Sequence, residues 1–246
     1  MVSQGLLGGV LRIRDSLDRG EWLKVSLPDG YVGWMRSWHV AAVTAGEAVA
    51  WRRDAGALVI AASADVRARR RADARRVRDL VLGCRLKALQ TVGSWVRVVT
   101  PDGERGWAAK SDLLLGGKTL PAVGMEIAKT LRLFLGGPYL WGGVTPKGTD
   151  CSGMVQTAFG VHGVDLPRDV SEQRHCGAPV EGRLRAGDLL FFGPARGPLT
   201  HVGVWTGGRR FIHAGCPVEE ASPDPRDAAY RPGLRARYRF ARRVVA

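Results

Sequence analysis

A thiol that hydrolyses a carbonyl needs a base to take its proton, a group to orient that base, and donors for the oxyanion. The sequence offers candidates for each. Cys151 stands in Asp150-Cys151-Ser152-Gly153 at the head of a run, Cys151 to His162, in which Met154, Val155, Ala158 and Phe159 share one helical face before Gly163. Free N–H groups and the dipole at a helix start favour negative charge, so the Cys151 thiol is expected to be pulled below its ordinary value of about 8.5. His201 opens His201-Val202-Gly203-Val204-Trp205, and His213 lies in Phe211-Ile212-His213-Ala214. Both segments read as strands, and two histidines on adjacent antiparallel strands can touch. One can then be the base and the other can hold its tautomer. His39, His162 and His175 read as surface or packing residues; no spacing among them suggests a metal site, and no cofactor is expected.

The elements that must carry these residues are legible around them. Pro121 precedes Ile127, Leu131 and Phe134 at helical spacing, with Gly136-Gly137 as a stop. Cys151 to His162 predicts a second helix. Strands are predicted over 188–192, 202–206, 209–214 and 236–245. Helices followed by a run of strands indicate an α+β domain over residues 117–246.

Upstream, the chain repeats itself. Gly20-Glu21-Trp22-Leu23-Lys24-Val25 aligns with Gly93-Ser94-Trp95-Val96-Arg97-Val98, and without a gap Pro28-Asp29-Gly30 then meets Pro101-Asp102-Gly103 and Gly33-Trp34 meets Gly106-Trp107. Each copy reads as two alternating strands joined by a Pro-Asp-Gly turn, a β-hairpin. The pattern resembles the bacterial SH3-like domain family, small all-β barrels that accompany cell-wall enzymes. The expected barrels cover residues 1–45 and 60–116, with Trp34 and Trp107 filling their cores. Val66-Arg67-Ala68 supplies the second copy with an early strand for which the first would need residues before Met1, so the first reads as clipped. Thr44 to Leu58 reads as a connector.

The C-terminal motifs carry a more specific resemblance: Gly137-Pro138-Tyr139-Leu140-Trp141-Gly142-Gly143, Asp150-Cys151-Ser152-Gly153, Gly187-Asp188-Leu189-Leu190-Phe191-Phe192, His201-Val202-Gly203-Val204 and Phe211-Ile212-His213-Ala214. Their order and spacing resemble the NlpC-type cell-wall peptidases, over nearly all of residues 121–246. The resemblance implies a papain-like α+β core and hydrolysis of the bond between γ-linked D-glutamate and a diamino acid in peptidoglycan stem peptides. It makes Cys151 the nucleophile, His201 the base and His213 the orienting residue. Tyr139 would assist the oxyanion, while Asp150 and Ser152 would line the pocket for the D-glutamyl part. Arg168, in Leu166-Pro167-Arg168, matches a recurrent motif without an assigned role. In relatives with SH3-like barrels the first barrel can wall off the cleft so that a free N-terminal L-alanine is required, and Tyr31 best matches the tyrosine of that wall. An acyltransferase or amidase on the same core, and an inactive wall-binding protein, are the alternatives.

Bulk properties agree with a globular chain. The 246 residues are 45% hydrophobic, enough for a real core. No apolar run approaches the roughly 20 residues of a membrane helix. The N-terminus lacks a basic n-region and an uninterrupted apolar stretch, so no signal peptide is expected; the chain reads as cytoplasmic as written, or as an envelope protein if residues precede Met1. A net charge of +14, from 37 Lys and Arg against 23 Asp and Glu, favours polyanions such as an anionic wall. No nucleic-acid motif accompanies it, and nucleic acid is not an expected partner. Cys84, Cys151, Cys176 and Cys216 form no C-x-x-C pair, and a disulfide among the three outside the motif stays open.

Overall fold

A computed structural model describes residues 1–245. The chain divides into two compact units: Gly5–Thr119, and Met1–Gln4 together with the chain from Leu120 onward. Among the described residues no helix is long and apolar enough to cross a membrane.

The first unit is built on the repeat. Strands β1 (Arg12–Leu17), β2 (Trp22–Ser26) and β3 (Val32–Arg36) form an antiparallel sheet in that order. Helix α1 (Ala45–Asp54) follows, then β4 (Ala57–Val59), β5 (Ser63–Arg67), β6 (Arg76–Val81), β7 (Arg85–Val92), β8 (Trp95–Val99), β9 (Arg105–Ala109) and β10 (Leu113–Leu114). These strands make a second sheet ordered β10-β4-β7-β8-β9-β5-β6. Both Pro-Asp-Gly turns close as expected: Gly30 N–H reaches Leu27 O and Gly103 N–H reaches Thr100 O, each at 2.9 Å. The glycines have φ of 86° and 85°, a left-handed conformation that side chains disfavour.

Two expectations change here. The stretch read as a connector holds α1, started by a capping box in which Thr44 Oγ1 accepts from Glu47 N–H and the Glu47 carboxylate accepts from Thr44 N–H. The tryptophans do not fill barrel cores. Trp34 is 44% exposed, and on β9 it is Gly106 and Ala108 that face inward. Alternation on a strand then turns Trp107 to the other face, where the Arg70 guanidinium lies 5.3 Å from its ring. The core itself is aliphatic, with Val66, Leu80, Leu86, Val96 and Val98 fully enclosed.

The second unit is α+β, with its elements given in chain order as follows. Helix α2 (Gly124–Leu131) precedes a small ribbon of β11 (Val144–Thr145) and β12 (Gly148–Thr149), helix α3 (Cys151–Gly160) and a short α4 (Val170–Gln173). Strands β13 (Ala178–Pro179), β14 (Leu189–Phe192), β15 (His201–Gly207), β16 (Arg210–Ala214) and β17 (Val218–Ala221) follow, then α5 (Pro232–Arg237) and β18 (Tyr238–Arg243). They form an antiparallel sheet ordered β13-β18-β14-β15-β16-β17. All of β14 is buried, which explains its unbroken apolar run: a strand covered on both faces has no polar side to alternate with. Helix α3 buries Met154, Val155, Ala158 and Phe159 completely. The last predicted strand begins later than expected, because Pro232 at the first turn starts α5.

Candidate active site

The site is assembled where the start of α3 meets the start of β15. Asp150 caps α3 with Oδ1 accepting from Gly153 N–H at 2.8 Å, while Oδ2 accepts from Gly142 N–H at 2.8 Å. One carboxylate thus fixes both the helix that carries Cys151 and the loop that carries Tyr139, Trp141 and Gly142. The approach is close. A Cβ on Gly153 would lie 2.1 Å from Gly143 O, so only glycine lets the helix start lie against that loop. Tyr139 is set beside the thiol by a parallel bridge to Thr149 and by Leu140 N–H donating to Thr149 O at 2.9 Å.

The buried carboxylate has a buried cation. Arg168 donates from Nη1 to Asp150 Oδ1 at 3.0 Å and from Nη2 to Oδ2 at 2.5 Å, with side chains only 2% and 9% exposed. Nη1 also reaches Ser152 Oγ at 2.9 Å, and Nε reaches Ser3 Oγ at 3.2 Å. This supplies the role that the sequence left open for Arg168. It neutralises Asp150 and ties Ser152 into the same network.

Cys151 is 6% exposed. The backbone N–H groups of Val202, Ser152 and Cys151 itself point at its sulfur. Burial nevertheless dominates and, with Asp150 adding to it, pushes the thiol up to about 11. The expected lowering is therefore reversed: the helix start does favour the thiolate, but desolvation outweighs it. Burial also acts on His201, which together with its neighbours His213 and Arg237 is pushed down to about 3. At neutral pH the resting pair is a thiol and an imidazole, both uncharged.

Register explains how the two histidines meet. Gly203 is the residue paired with His213, so His201 is its diagonal neighbour, still within reach of a ring. His201 Nε2 lies 3.1 Å from His213 Nδ1, and the rings are nearly perpendicular at 85°. That contact uses Nε2 and leaves Nδ1 of His201 for a thiol. Geometrically, the arrangement can pass a proton from sulfur to imidazole and hold the resulting imidazolium through a second ring.

The NlpC/P60 family model matches residues 136–231, which include every one of these groups except Ser3 and Arg237. The C-terminal unit belongs to the NlpC/P60 family. A bacterial SH3 domain model matches residues 62–113, and a bacterial dipeptidyl-peptidase Sh3 domain model matches residues 1–40. Among curated proteins, a gamma-D-glutamyl-L-lysine dipeptidyl-peptidase of Bacillus cereus is 27% identical over 86% of this chain and 66% of its own length. The protein of the same description from Bacillus subtilis is 29% identical over 80% of this chain and 67% of its own. The chain thus spans about two thirds of the length of those relatives. A crystal structure of an NlpC/P60 family protein from Bacillus cereus covers 100% of this chain and 82% of its own with a TM-score of 0.86 at 27% identity.

Within this NlpC/P60 domain the other candidates fall into place. Tyr31 belongs to the other unit, in its Pro-Asp-Gly hairpin, where its N–H donates to Asp29 Oδ1 at 3.0 Å. His162 is a satisfied core histidine, with Nε2 2.9 Å from Thr130 Oγ1 and Nδ1 2.6 Å from Pro121 O. Cys84, Cys176 and Cys216 form no disulfide among the described residues. Residues that the sequence did not single out also border the site. Trp141 is 70% exposed beside Tyr139 and Leu140, an apolar rim whose only sequence signal is its place in the Tyr-Leu-Trp-Gly-Gly motif. Glu219 and Arg231 stand behind His213, and nothing local in Val218-Glu219-Glu220 marks one carboxylate over the other.

Proposed function

We propose that this protein is a cysteine peptidase that cleaves the γ-D-glutamyl–diamino acid bond of peptidoglycan stem peptides and prefers a free N-terminal L-alanine before the D-glutamate. The observation that supports it most is the grouping of Cys151, His201 and His213 inside an NlpC/P60 domain, in a chain whose two Bacillus relatives are named gamma-D-glutamyl-L-lysine dipeptidyl-peptidases. In this reading His201 Nδ1 takes the Cys151 proton as the sulfur attacks the γ-carbonyl carbon. The backbone N–H of Cys151 and the Tyr139 hydroxyl stabilise the oxyanion. The imidazolium then protonates the leaving amine of the diamino acid as the C–N bond breaks, giving a thioester. Water, deprotonated by the same imidazole, attacks the thioester and releases the dipeptide acid while the thiol regains its proton.

Burial disfavours both the thiolate and the imidazolium at rest, which favours proton transfer as the sulfur attacks. Asp150, Ser152 and Arg168 shape the pocket on the D-glutamyl side of the scissile bond. Mass spectrometry of L-Ala-γ-D-Glu-L-Lys and of its N-acetylated form, each incubated with the protein, tests both parts. Release of the dipeptide L-Ala-D-Glu from the free form alone is the expected result. Equal cleavage of the two forms overturns the amine preference, and cleavage of neither overturns the bond assignment.

A further inference from the structure

The catalytic histidines do not end the chain of contacts. Strand β17 pairs with β16 so that Glu219 stands directly opposite His213. His213 Nε2 lies 3.4 Å from Glu219 Oε1, within ion-pair distance but outside hydrogen-bond geometry, and this buried nitrogen has no hydrogen-bond partner among the described residues. Glu219 is itself held by Arg231, whose Nε donates to Oε1 at 2.9 Å and whose Nη2 donates to Oε2. Arg231 stands at the residue before α5, 12 residues beyond Glu219 in the chain. The carboxylate is thus fixed in a bidentate fork and aimed at the inner face of a ring that is 5% exposed.

We propose that Glu219 is a positioning residue that fixes the tautomer of His213 and, through it, of His201. The inference rests on the assignment of His201 as the base. A carboxylate beside Nε2 favours the tautomer of neutral His213 that carries its proton on Nε2, which leaves Nδ1 as an acceptor. Nδ1 then accepts the Nε2 proton of His201, and the Nδ1 lone pair of His201 is left for its role as the base. The opposite tautomer of His213 would turn an N–H toward His201 Nε2. His201 would then carry its proton on Nδ1, where no lone pair remains for the thiol. The groups facing the His213 ring are His201 from β15, Glu219 from β17 and the Arg231 guanidinium behind it. Arg231 offsets only part of the charge of Glu219, which acts on His213 through charge as well as direction. Glu219 opposes the effect of burial on His213, which lowers the imidazole overall.

Long-range proton–nitrogen NMR of the histidine rings, recorded in the Cys151→Ala background, reads the tautomers without any need for turnover. Parent His213 should show Nε2–H, and Glu219→Ala should shift it toward Nδ1–H. In the active protein Glu219→Ala should lower kcat about ten- to hundredfold with KM little changed, the scale seen when outer partners of oriented histidines are removed. Glu219→Gln keeps an acceptor oxygen and should recover part of that loss. An unchanged His213 tautomer together with an unchanged kcat in Glu219→Ala overturns the proposal. If no variant or parent turns over the peptide while the tautomer still shifts, the substrate assignment fails and the positioning role stands.

Discussion

At the scale of single residues, the site rests on burial as much as on residue identity. Cys151→Ala should abolish hydrolysis and leave the melting temperature within a few degrees of the parent, because one sulfur atom is removed from the end of a helix. His201→Ala should be comparably severe, and His213→Ala partial, since it orients a base that is still present; steady-state rates on the free tripeptide check both. Arg168→Ala is expected to act on the fold instead. It strands a carboxylate that is 9% exposed, and breaking a buried pair costs about 3–5 kcal/mol, measurable by denaturant unfolding. His201 also ties stability to pH. Its folded value of about 3 lies below the usual imidazole value of about 6.5, so the unfolded chain binds the proton first as pH falls. The stabilisation is complete above about pH 6.5 and is lost as pH drops toward 3. Melting temperatures between pH 7 and pH 4 should fall less steeply in His201→Gln than in the parent; parallel slopes would show that the ring is solvated.

The elements carry the site through contacts that tolerate little change. Helix α3 begins against the loop at Gly142 and Gly143, and Gly153 is the residue that permits it. Gly153→Ala should cost about 1–3 kcal/mol through overpacking and should reduce activity by more than the loss of folded protein, because the shift falls on Cys151 two residues away. Thermal unfolding paired with activity per folded molecule separates these effects, and a variant as active as the parent would show that the loop yields freely. The periodic elements were legible: the apolar face of α3, the buried run of β14 and both Pro-Asp-Gly hairpins follow from local pattern. Helix α1 is also signalled in the sequence, as Thr44-Ala45-Gly46-Glu47, but its alanine-rich body has no apolar stripe, so the capping signal stands alone. The tryptophan placement was a different kind of miss. Conserving the alternation of β9 while burying Gly106 and Ala108 is a choice made by the neighbouring strands, since a Cβ at Gly106 would meet Val66.

Across the whole molecule, a net charge of +14 should make retention on an anionic wall depend on salt, because exposed charges are screened over about 8–10 Å at physiological ionic strength. Co-sedimentation with purified sacculi should fall between about 0.05 and 0.5 M NaCl, where the Debye length shortens severalfold; salt-independent retention would point to recognition by shape instead. The sequence by itself determined the order of the motifs, the internal repeat, the α+β character of the C-terminal unit and the choice of Cys151, His201 and His213 as the candidate trio. These are properties of residue type and near-neighbour spacing, which survive without knowledge of distant packing. Tertiary structure alone decided the protonation of the trio and what stands behind it. The helix start that favours a thiolate is visible from Cys151 and its neighbours, but the desolvation that outweighs it comes from strands joined to the helix only by folding. Likewise Glu219 faces His213 because β17 pairs with β16 in one register, and Arg231 clamps it from the start of α5. Desolvation of Cys151 is set by segments far along the chain, so no local pattern around it could announce the shift; Glu219 lies on the strand next to that of His213, and which of Glu219 and Glu220 meets the ring is decided by the register of that hairpin.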